Sequence, residues 1–334
     1  MTEKREDRKT YLDILRVVAV FLVIYAHTRA TGKRVYQHSE NLINIWGGLF
    51  LDCLRCCNNW LFLMISGALL LKKDESIKTI LVHRVLRMVM ALSIFSVFYI
   101  IVEGKYVSIG QSILDILCGR VRNSFWFIYS YIGYLLLLPV LRTVAQNISD
   151  QHMKYLIIVF LIFDFVFSNV YAITSLPAIA VEFQLGKFLI YPLIGYYLSN
   201  HEQPKSTVLI MGIVSFVGLI ICSLATYNEH INTGEWSENY IYRSESVCAI
   251  FMFCLAQRVI KSTNVRFWAA VSSAAFGIYF IAPYLLKKFK FIYTAIHRYL
   301  PVIPSNILFI MCIMLIATVL TLVLKKIPII KKIL

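Results

Sequence analysis

The stretch that decides the fold is YLDILRVVAVFLVIYAH, which occupies residues 11–27. Only a few ionisable side chains interrupt its apolar residues, and the charged segment MTEKREDRKT precedes it. A signal peptide that is removed ends in a small-residue cleavage site, and no such site follows this stretch. We therefore expect the stretch to be retained as a membrane-spanning helix.

The composition of the whole chain agrees with this interpretation. Of its 334 residues, 59% are apolar and only 15% are charged, whereas soluble domains are about 45–50% apolar and about 25% charged. A soluble core could not bury so much apolar surface. The sequence therefore predicts one all-α integral membrane domain that occupies residues 1–334.

Apolar runs that approach the roughly 20 residues needed to cross a bilayer recur along the chain. The ten candidates are residues 12–30, 45–71, 80–102, 125–141, 154–176, 183–199, 206–227, 245–260, 267–286 and 304–324. The second window contains several polar side chains, so its first half is expected to be irregular or to lie outside the membrane. Residues 106–118 are too short to span and place their apolar side chains on one stripe, which predicts an amphipathic helix at the interface.

The distribution of Lys and Arg predicts the sidedness of the chain, because cytoplasmic loops carry an excess of these residues. A cytoplasmic N-terminus places twenty of the 33 basic residues near the cytoplasmic ends of the spans. An even number of spans then makes the C-terminus cytoplasmic too, and we expect a multi-pass protein of the plasma membrane. One outer loop opposes the trend, because it contains Lys287, Lys288, Lys290 and Arg298.

The net charge of +15 would suggest a nucleic-acid partner in a soluble protein. Here the basic residues lie mostly in short loops between apolar runs, so we expect contact with membrane lipids and none with nucleic acid. Cys53, Cys56 and Cys57 lie close together, but the second pair of ligands that a structural zinc site needs is not apparent in the sequence. No metal is therefore expected.

Three ionisable residues of the first helix form a candidate site. Arg16 and His27 are eleven residues apart, so they share one helix face about 16 Å apart along the axis. Asp13, three residues before Arg16, can pair with it on that face. Alternatively, Arg16 extends to the interface along its aliphatic stem and His27 lies in the outer headgroup layer.

Five further motifs follow the first helix. They are LFLMISGALLL (61–71), HRVLR (83–87), FWFIYSYIGYLLLLPVL (125–141), QLGKFLIYPLIGYYL (184–198) and SSAAFGIYFIAP (272–283). Together with the arginine and histidine of the first helix, they resemble, in order, the motifs of the membrane-bound acyltransferase-3 family. One departure is Ala282, which stands where the family usually has a histidine.

The resemblance implies an O-acyltransferase. Such an enzyme would take an acyl group, most often acetyl, from cytoplasmic acetyl-CoA as co-substrate and pass it to a hydroxyl of a glycan or lipid-linked sugar at the outer face. It also implies that Arg84 and Arg87 handle acyl-CoA, with Arg16 near the same phosphates. By themselves, Arg84 and Arg87 are more typical of a positive-inside anchor, and it is the resemblance that favours acyl-CoA.

Three more residues are candidates for binding acyl-CoA. Ser66, within Ser-Gly-Ala, could make room for the narrow pantetheine arm, or these small residues could form a packing seam between helices. Trp126 and Tyr129 belong to the aromatic motif of the family, and both are also typical of the aromatic belt at a membrane interface.

The catalytic role falls to His27. It could act as general base on the acceptor hydroxyl or as a nucleophile that carries the acyl group. Asp13 would hold Arg16 in place, and Glu182 is a possible outer-face partner of His27. The alternative function is a transporter or flippase of a small polar solute or lipid-linked sugar, for which a polar path through ten helices would also serve.

Overall fold

The computed structural model of the chain describes residues 9–174, 186–261 and 265–333, and every secondary-structure element in these ranges is helical. The helices are α1 (Thr10–Ala26), α2 (Leu42–Arg55), α3 (Asn58–Leu70), α4 (Ile77–Thr79), α5 (Leu86–Val102), α6 (Ile109–Leu117), α7 (Trp126–Asn147), α8 (Asp150–Leu161), α9 (Ser168–Thr174), α10 (Lys187–Asn200), α11 (Lys205–Thr233), α12 (Glu245–Val259), α13 (Val265–Lys288), α14 (Lys290–His297), α15 (Val302–Leu324) and α16 (Pro328–Ile333). Two π-helical segments, Ile80–Val85 and Ile162–Phe167, join α4 to α5 and α8 to α9. The predicted all-α class is confirmed.

Within the described ranges, seven helical stretches are long and apolar enough to cross a membrane. They are Leu42–Leu70, Ile77–Val102, Asn123–Asn147, Asp150–Val170, Lys205–Thr233, Arg266–Lys288 and Val302–Leu324. The chain is thus a multi-pass membrane protein. The other three predicted spans correspond to the shorter helices α1, α10 and α12, which have 17, 14 and 15 residues. Ten crossings with cytoplasmic termini stay a prediction.

The three shorter helices lie inside the bundle. Nine of the 14 residues of α10 are buried, and α1 packs against α3, α12, α13 and α15. At a rise of about 1.5 Å per residue, α1 is only about 25 Å long, less than the roughly 30 Å of a hydrocarbon core. A polar cavity at either end of α1 can therefore extend below the membrane surface.

Helices α3 and α10 approach each other closely through two glycines. A Cβ atom on Gly67 would overlap the backbone carbonyl of Pro192, and one on Gly195 would overlap that of Met64. Small residues permit this approach, on which helix association in lipid depends. Gly67 of the Ser-Gly-Ala motif thus forms the packing seam that the sequence offered as an alternative to a channel for pantetheine.

Side-chain contacts between helix ends define one end of the bundle. There, the Lys9 ammonium lies 2.6 Å from the Ser199 carbonyl oxygen, at the end of α10, and Arg142 of α7 donates to the Leu70 carbonyl at 2.9 Å. Arg87 at the start of α5 donates to the carbonyl of Ile333 at 3.0 Å. We name this the Arg87 end. His27 follows the last residue of α1 and marks the opposite, or His27, end.

The second predicted span consists of two helices. Its first half, which was expected to be irregular or outside the membrane, is the regular helix α2, and a turn at Cys56 and Cys57 separates it from α3. Some of the polar groups beside this turn find partners within the protein. Buried Asp52 accepts a hydrogen bond from Tyr36 at 2.9 Å and pairs with Arg55.

The predicted amphipathic segment forms α6. None of its nine residues is buried, and Ile109, Ile113, Leu114 and Leu117 are all more than half exposed. Such a stripe on a short helix fits a membrane interface better than water. The helix and its apolar stripe match the prediction.

Candidate active site

The His27 side chain is held by the helix that it follows. Its Nδ1 atom lies 2.6 Å from the carbonyl oxygen of Val23, one helical turn earlier. A carbonyl can only accept a hydrogen bond, so this contact requires a proton on Nδ1, and in the neutral imidazole Nε2 then keeps its lone pair. This is the tautomer that a general base or a nucleophile requires.

His27 lines a cavity of about 1500 Å³. Its walls come from the segment after α1, the break between α2 and α3, the end of α5, the start of α7, and the helices α13 and α14. Trp126 and Phe127 also line it, so the aromatic motif reaches this cavity. A space of this size exceeds the usual 300–1,000 Å³ of a small-molecule pocket.

The lining of this cavity is strongly basic. Ten lysine and arginine residues contribute to it, whereas Glu103 is the one carboxylate in the lining that the structure describes. The ten are Arg29, Lys33, Arg34, Arg55, Lys105, Arg120, Arg122, Lys287, Lys288 and Lys290. The basic residues that opposed the predicted orientation, except Arg298, therefore belong to one site with His27.

Two carboxylates neutralise part of this charge. Glu238 accepts hydrogen bonds from Lys33 at 2.8 Å and Arg34 at 3.0 Å. Burial raises the pKa of Glu238, but Lys33, Tyr242 and Arg34 outweigh burial and lower the pKa to about 2. The acidic loop between α11 and α12, which contains Glu238, therefore contacts the segment that follows His27.

Glu103 likewise neutralises two cations of the cavity lining. It pairs with Arg122 at 2.5 Å and Lys105 at 2.7 Å, and Arg122 also lies 4.2 Å from the centre of the Tyr99 ring. Burial raises the pKa of Glu103, but Lys105 and Arg122 lower it overall below its ordinary value.

Arg55 enters the cavity from the break between α2 and α3. Its Nε pairs with Asp52, and only 6% of the residue is exposed. Its Nη2 atom and the Oδ1 atom of neighbouring Asn58 are buried and make no hydrogen bond to any residue in the described ranges. Buried polar atoms are nearly always hydrogen-bonded, so these two call for a partner.

The backbone just beyond His27 is strained at Arg29, which has a φ of 49°. This left-handed conformation favours glycine and is uncommon for a residue with a long side chain. The Arg29 carbonyl accepts hydrogen bonds from Gly32 and Arg34, which fix the turn. The turn holds an exposed guanidinium at the cavity.

Arg16 and Asp13 lie near the opposite end of α1. The predicted pair forms, with Arg16 Nη1 at 3.8 Å from Asp13 Oδ1, and Arg16 also donates to the Ser272 hydroxyl at 2.8 Å. Ser272 belongs to the last motif of the sequence, so this bond links α1 to α13. Arg16 is therefore held in place within the bundle.

Arg84 and Arg87 lie at the Arg87 end, at and just after the π-helical segment Ile80–Val85. Arg84 donates to Glu75 through Nε at 2.9 Å and Nη2 at 2.6 Å, and Arg142 donates to the same carboxylate at 2.8 Å. The hydrogen bond from Arg84, together with Arg142, lowers the pKa of Glu75 to about 2 against the effect of burial. A guanidinium also binds phosphate through two such parallel hydrogen bonds.

Ser66 joins α3 to α7, because its hydroxyl lies 3.0 Å from that of Tyr131. The sequence did not single out Tyr131, although it lies in the aromatic motif.

The remaining predicted residues do not share one site. Tyr129 donates to the carbonyl of Ile116 and so fixes the amphipathic helix α6, whereas Trp126 is half exposed at the cavity. Ala282 is buried in an apolar cluster with α1 and α15. Glu182 lies outside the described residues.

Sequence reasoning missed Arg55, Asn58, Arg29 and Arg122. A signal for Arg55 and Asn58 was present, because they interrupt an apolar window in which every ionisable group is costly. Arg29 and Arg122 lie in loops, where position along the chain gives no indication that they meet. The described residues include no group of three or more His, Cys, Asp or Glu that could hold a metal ion.

Comparison with known proteins adds one match. The family model described as an acyltransferase domain matches residues 9–326, nearly the whole chain. Neither the curated proteins nor the solved structures gave a match.

Proposed function

Because the chain belongs to the acyltransferase-3 family, we propose that this membrane acyltransferase moves an acetyl group from cytoplasmic acetyl-CoA to a hydroxyl of a glycan or lipid-linked sugar. Transfer takes place at the outer face of the plasma membrane, in the cavity that His27 lines. The observation that supports the proposal is the hydrogen bond from His27 Nδ1 to the Val23 carbonyl, which in the neutral imidazole leaves the lone pair on Nε2.

The reaction needs one base at the acceptor. Nε2 of His27 takes the proton of the acceptor hydroxyl while the oxygen attacks the thioester carbonyl. The carbon–sulfur bond then breaks, and the proton on the imidazolium passes to the departing coenzyme A thiolate. Ester and thiol are the products, and His27 returns to its initial state. If His27 acted as nucleophile instead, an acyl-imidazole would form first.

The donor enters from the Arg87 end, which we propose to be cytoplasmic. Arg84 and Arg87 bind the phosphates of acetyl-CoA, and Arg16 lies on the path toward His27. The forked hydrogen bonds of Arg84 to Glu75 support this role, because the same donors fit a phosphate. A bound phosphate would compete with Glu75 for Arg84.

Ten crossings with both termini in the cytoplasm complete the proposal. This arrangement places Lys9, Arg142 and Arg87, which share one end of the bundle, on the side where basic residues are favoured. His27 and the cavity then face outward.

The competing function is a transporter or flippase of an anionic solute or lipid-linked sugar, which the size and basic lining of the cavity would also suit. Purified protein in lipid nanodiscs separates the two. Release of free thiol from acetyl-CoA, which His27→Ala abolishes, is expected of an acyltransferase. Absence of thiol release in the presence of a range of glycan acceptors, together with uptake of a labelled sugar into proteoliposomes, would overturn the proposal.

A further inference from the structure

The basic cavity has more positive charge than its own carboxylates balance. Within the described ranges, three carboxylates, Glu103, Glu238 and Asp52, pair with five of its ten cations, so that seven positive charges stay unbalanced. Arg29, Arg120 and the lysines of α13 and α14 form no ion pair within the described ranges. A cavity of one sign with apolar walls concentrates ligands of the opposite sign.

In the orientation proposed above, membrane topology does not account for this charge. Basic residues orient a chain when they lie on the cytoplasmic side, and the cavity lies at the end of the bundle opposite to Lys9, Arg87 and Arg142. Basic residues at the outer end oppose the orientation that the rest of the sequence favours. Their presence around His27 therefore indicates a ligand.

Arg55 and Asn58 indicate the chemistry of that ligand. The buried Nη2 of Arg55 offers a charge-assisted hydrogen bond, and the buried Oδ1 of Asn58 accepts one. A ligand that satisfies both carries an acidic group and a hydroxyl. Acidic sugars have this combination.

Arg29 supports the same conclusion independently. Its left-handed φ of 49° would be relieved by glycine, yet an arginine occupies the position and its side chain lines the cavity. Strain held at a site of this kind points to a function for the side chain.

We propose that the acyl acceptor is an acidic saccharide, one that carries carboxylate or phosphate groups along its chain, and that Arg55 and Asn58 bind the sugar unit beside His27. Lys287, Lys288 and Lys290 hold the next acidic groups of the chain. The inference rests on the proposed function, since it names the acceptor of that reaction.

The test measures binding of a defined acidic probe to the full-length protein in nanodiscs. Calorimetry compares trigalacturonate with the neutral trisaccharide maltotriose, which has the same number of sugar units. We expect trigalacturonate to bind at least tenfold more tightly, and the affinity to fall as salt is raised. Equal affinity for the two trisaccharides would overturn the proposal.

Two variants locate the site. Arg55→Gln should weaken trigalacturonate binding at least tenfold, but it also leaves Asp52 without its buried partner and could unfold the protein. The second variant replaces the exposed Lys287, Lys288 and Lys290 by Gln together and should weaken binding about tenfold. Its matched control replaces three exposed lysines of the Arg87 end, Lys326, Lys331 and Lys332, by Gln and should leave binding unchanged. Equal effects of the two triple variants would overturn the proposal.

Coenzyme A is the other source of phosphate, and competition distinguishes it. If the cavity binds the acceptor, coenzyme A and trigalacturonate bind together. If coenzyme A displaces the trisaccharide and the first lysine triple loses affinity for coenzyme A, the cavity is a donor site and the inference fails. Thiol release from acetyl-CoA in the presence of a range of glycan acceptors is scored separately. Binding of the acidic probe without thiol release with any of these acceptors would count against the proposed function while the acidic-ligand site stands.

Discussion

Nδ1 of His27 lies 2.6 Å from the carbonyl oxygen of Val23, so the backbone of α1 itself selects the tautomer of the proposed catalytic base. In many sites a carboxylate orients the histidine. Here the carbonyl of a residue one helical turn earlier contacts Nδ1. The orientation of His27 therefore depends on α1 continuing as a helix to its last turn.

The first prediction concerns His27 directly. His27→Ala should lower acetyl transfer by roughly 100- to 10,000-fold, the usual range for loss of a general base, while the protein stays inserted and folded. Turnover of acetyl-CoA and monodispersity in detergent are measured together. The control is His297→Ala, because His297 also contacts a backbone carbonyl through Nδ1, at 3.1 Å, but is exposed and does not line the cavity. Retention of more than about a tenth of the wild-type rate by His27→Ala would exclude the role.

The second prediction concerns donor binding. Arg84→Ala and Arg87→Ala should each raise the dissociation constant of coenzyme A, because a charge-assisted hydrogen bond contributes about 1.5–3 kcal/mol, and high salt should have the same effect. Titration calorimetry measures the constant. Arg298→Ala, an exposed arginine outside both sites, is the control. Unchanged affinity with reduced membrane insertion would favour the positive-inside anchor.

The third prediction concerns the contact of α3 with α10. Gly67→Ala should lower the thermal unfolding temperature markedly, since the new Cβ overlaps the Pro192 backbone, which cannot move aside as a flexible side chain could. Gly133→Ala in α7 is the control, because a Cβ there meets no atom within 4 Å. Alanine is favoured over glycine in a helix by about 0.5–1 kcal/mol, so the control should be neutral or slightly stabilising. Equal effects would show that the close approach is not needed.

The fourth prediction concerns pH at the Arg87 end. The folded state lowers the pKa of Glu75 from 4.5 to about 2, mainly through Arg84. A depressed carboxylate pKa stabilises the fold above the unfolded pKa, and this contribution is lost as pH falls from about 4.5 to about 2. The difference in unfolding temperature between wild type and Glu75→Gln should therefore shrink across that window. A difference that is constant with pH would show that the ion pair does not stabilise the protein.

The fifth prediction concerns sidedness, on which transfer across the bilayer depends. A protease tag at either terminus should be protected in intact cells, whereas one inserted at exposed Gly234 should be cleaved. The Gly234 site is suitable because α11 ends at Thr233, and an added Cβ at Gly234 meets no atom within 4 Å. Cleavage of a terminal tag with protection at Gly234 would place His27 inside, and the reaction would then be cytoplasmic.

The sequence by itself determined the membrane class, the helical architecture and the family. These properties depend on apolar runs and on short motifs, both of which are local along the chain. The register of Arg16 and His27 on α1 and the pairing of Asp13 with Arg16 were likewise predictable, because helical geometry fixes them. The apolar stripe of α6 followed from the same periodicity.

Only the tertiary structure decided which polar residues share a site. It brought Arg55, Arg122 and Lys287, which are far apart in the sequence, to the cavity that His27 lines. It also separated Tyr129, which fixes α6, from Trp126 at the cavity, although the two are one helical turn apart. Loop residues carry no periodic signal, and their neighbours are set by how the helices pack. For this reason the sequence could indicate the candidate catalytic histidine but not the basic surface around it.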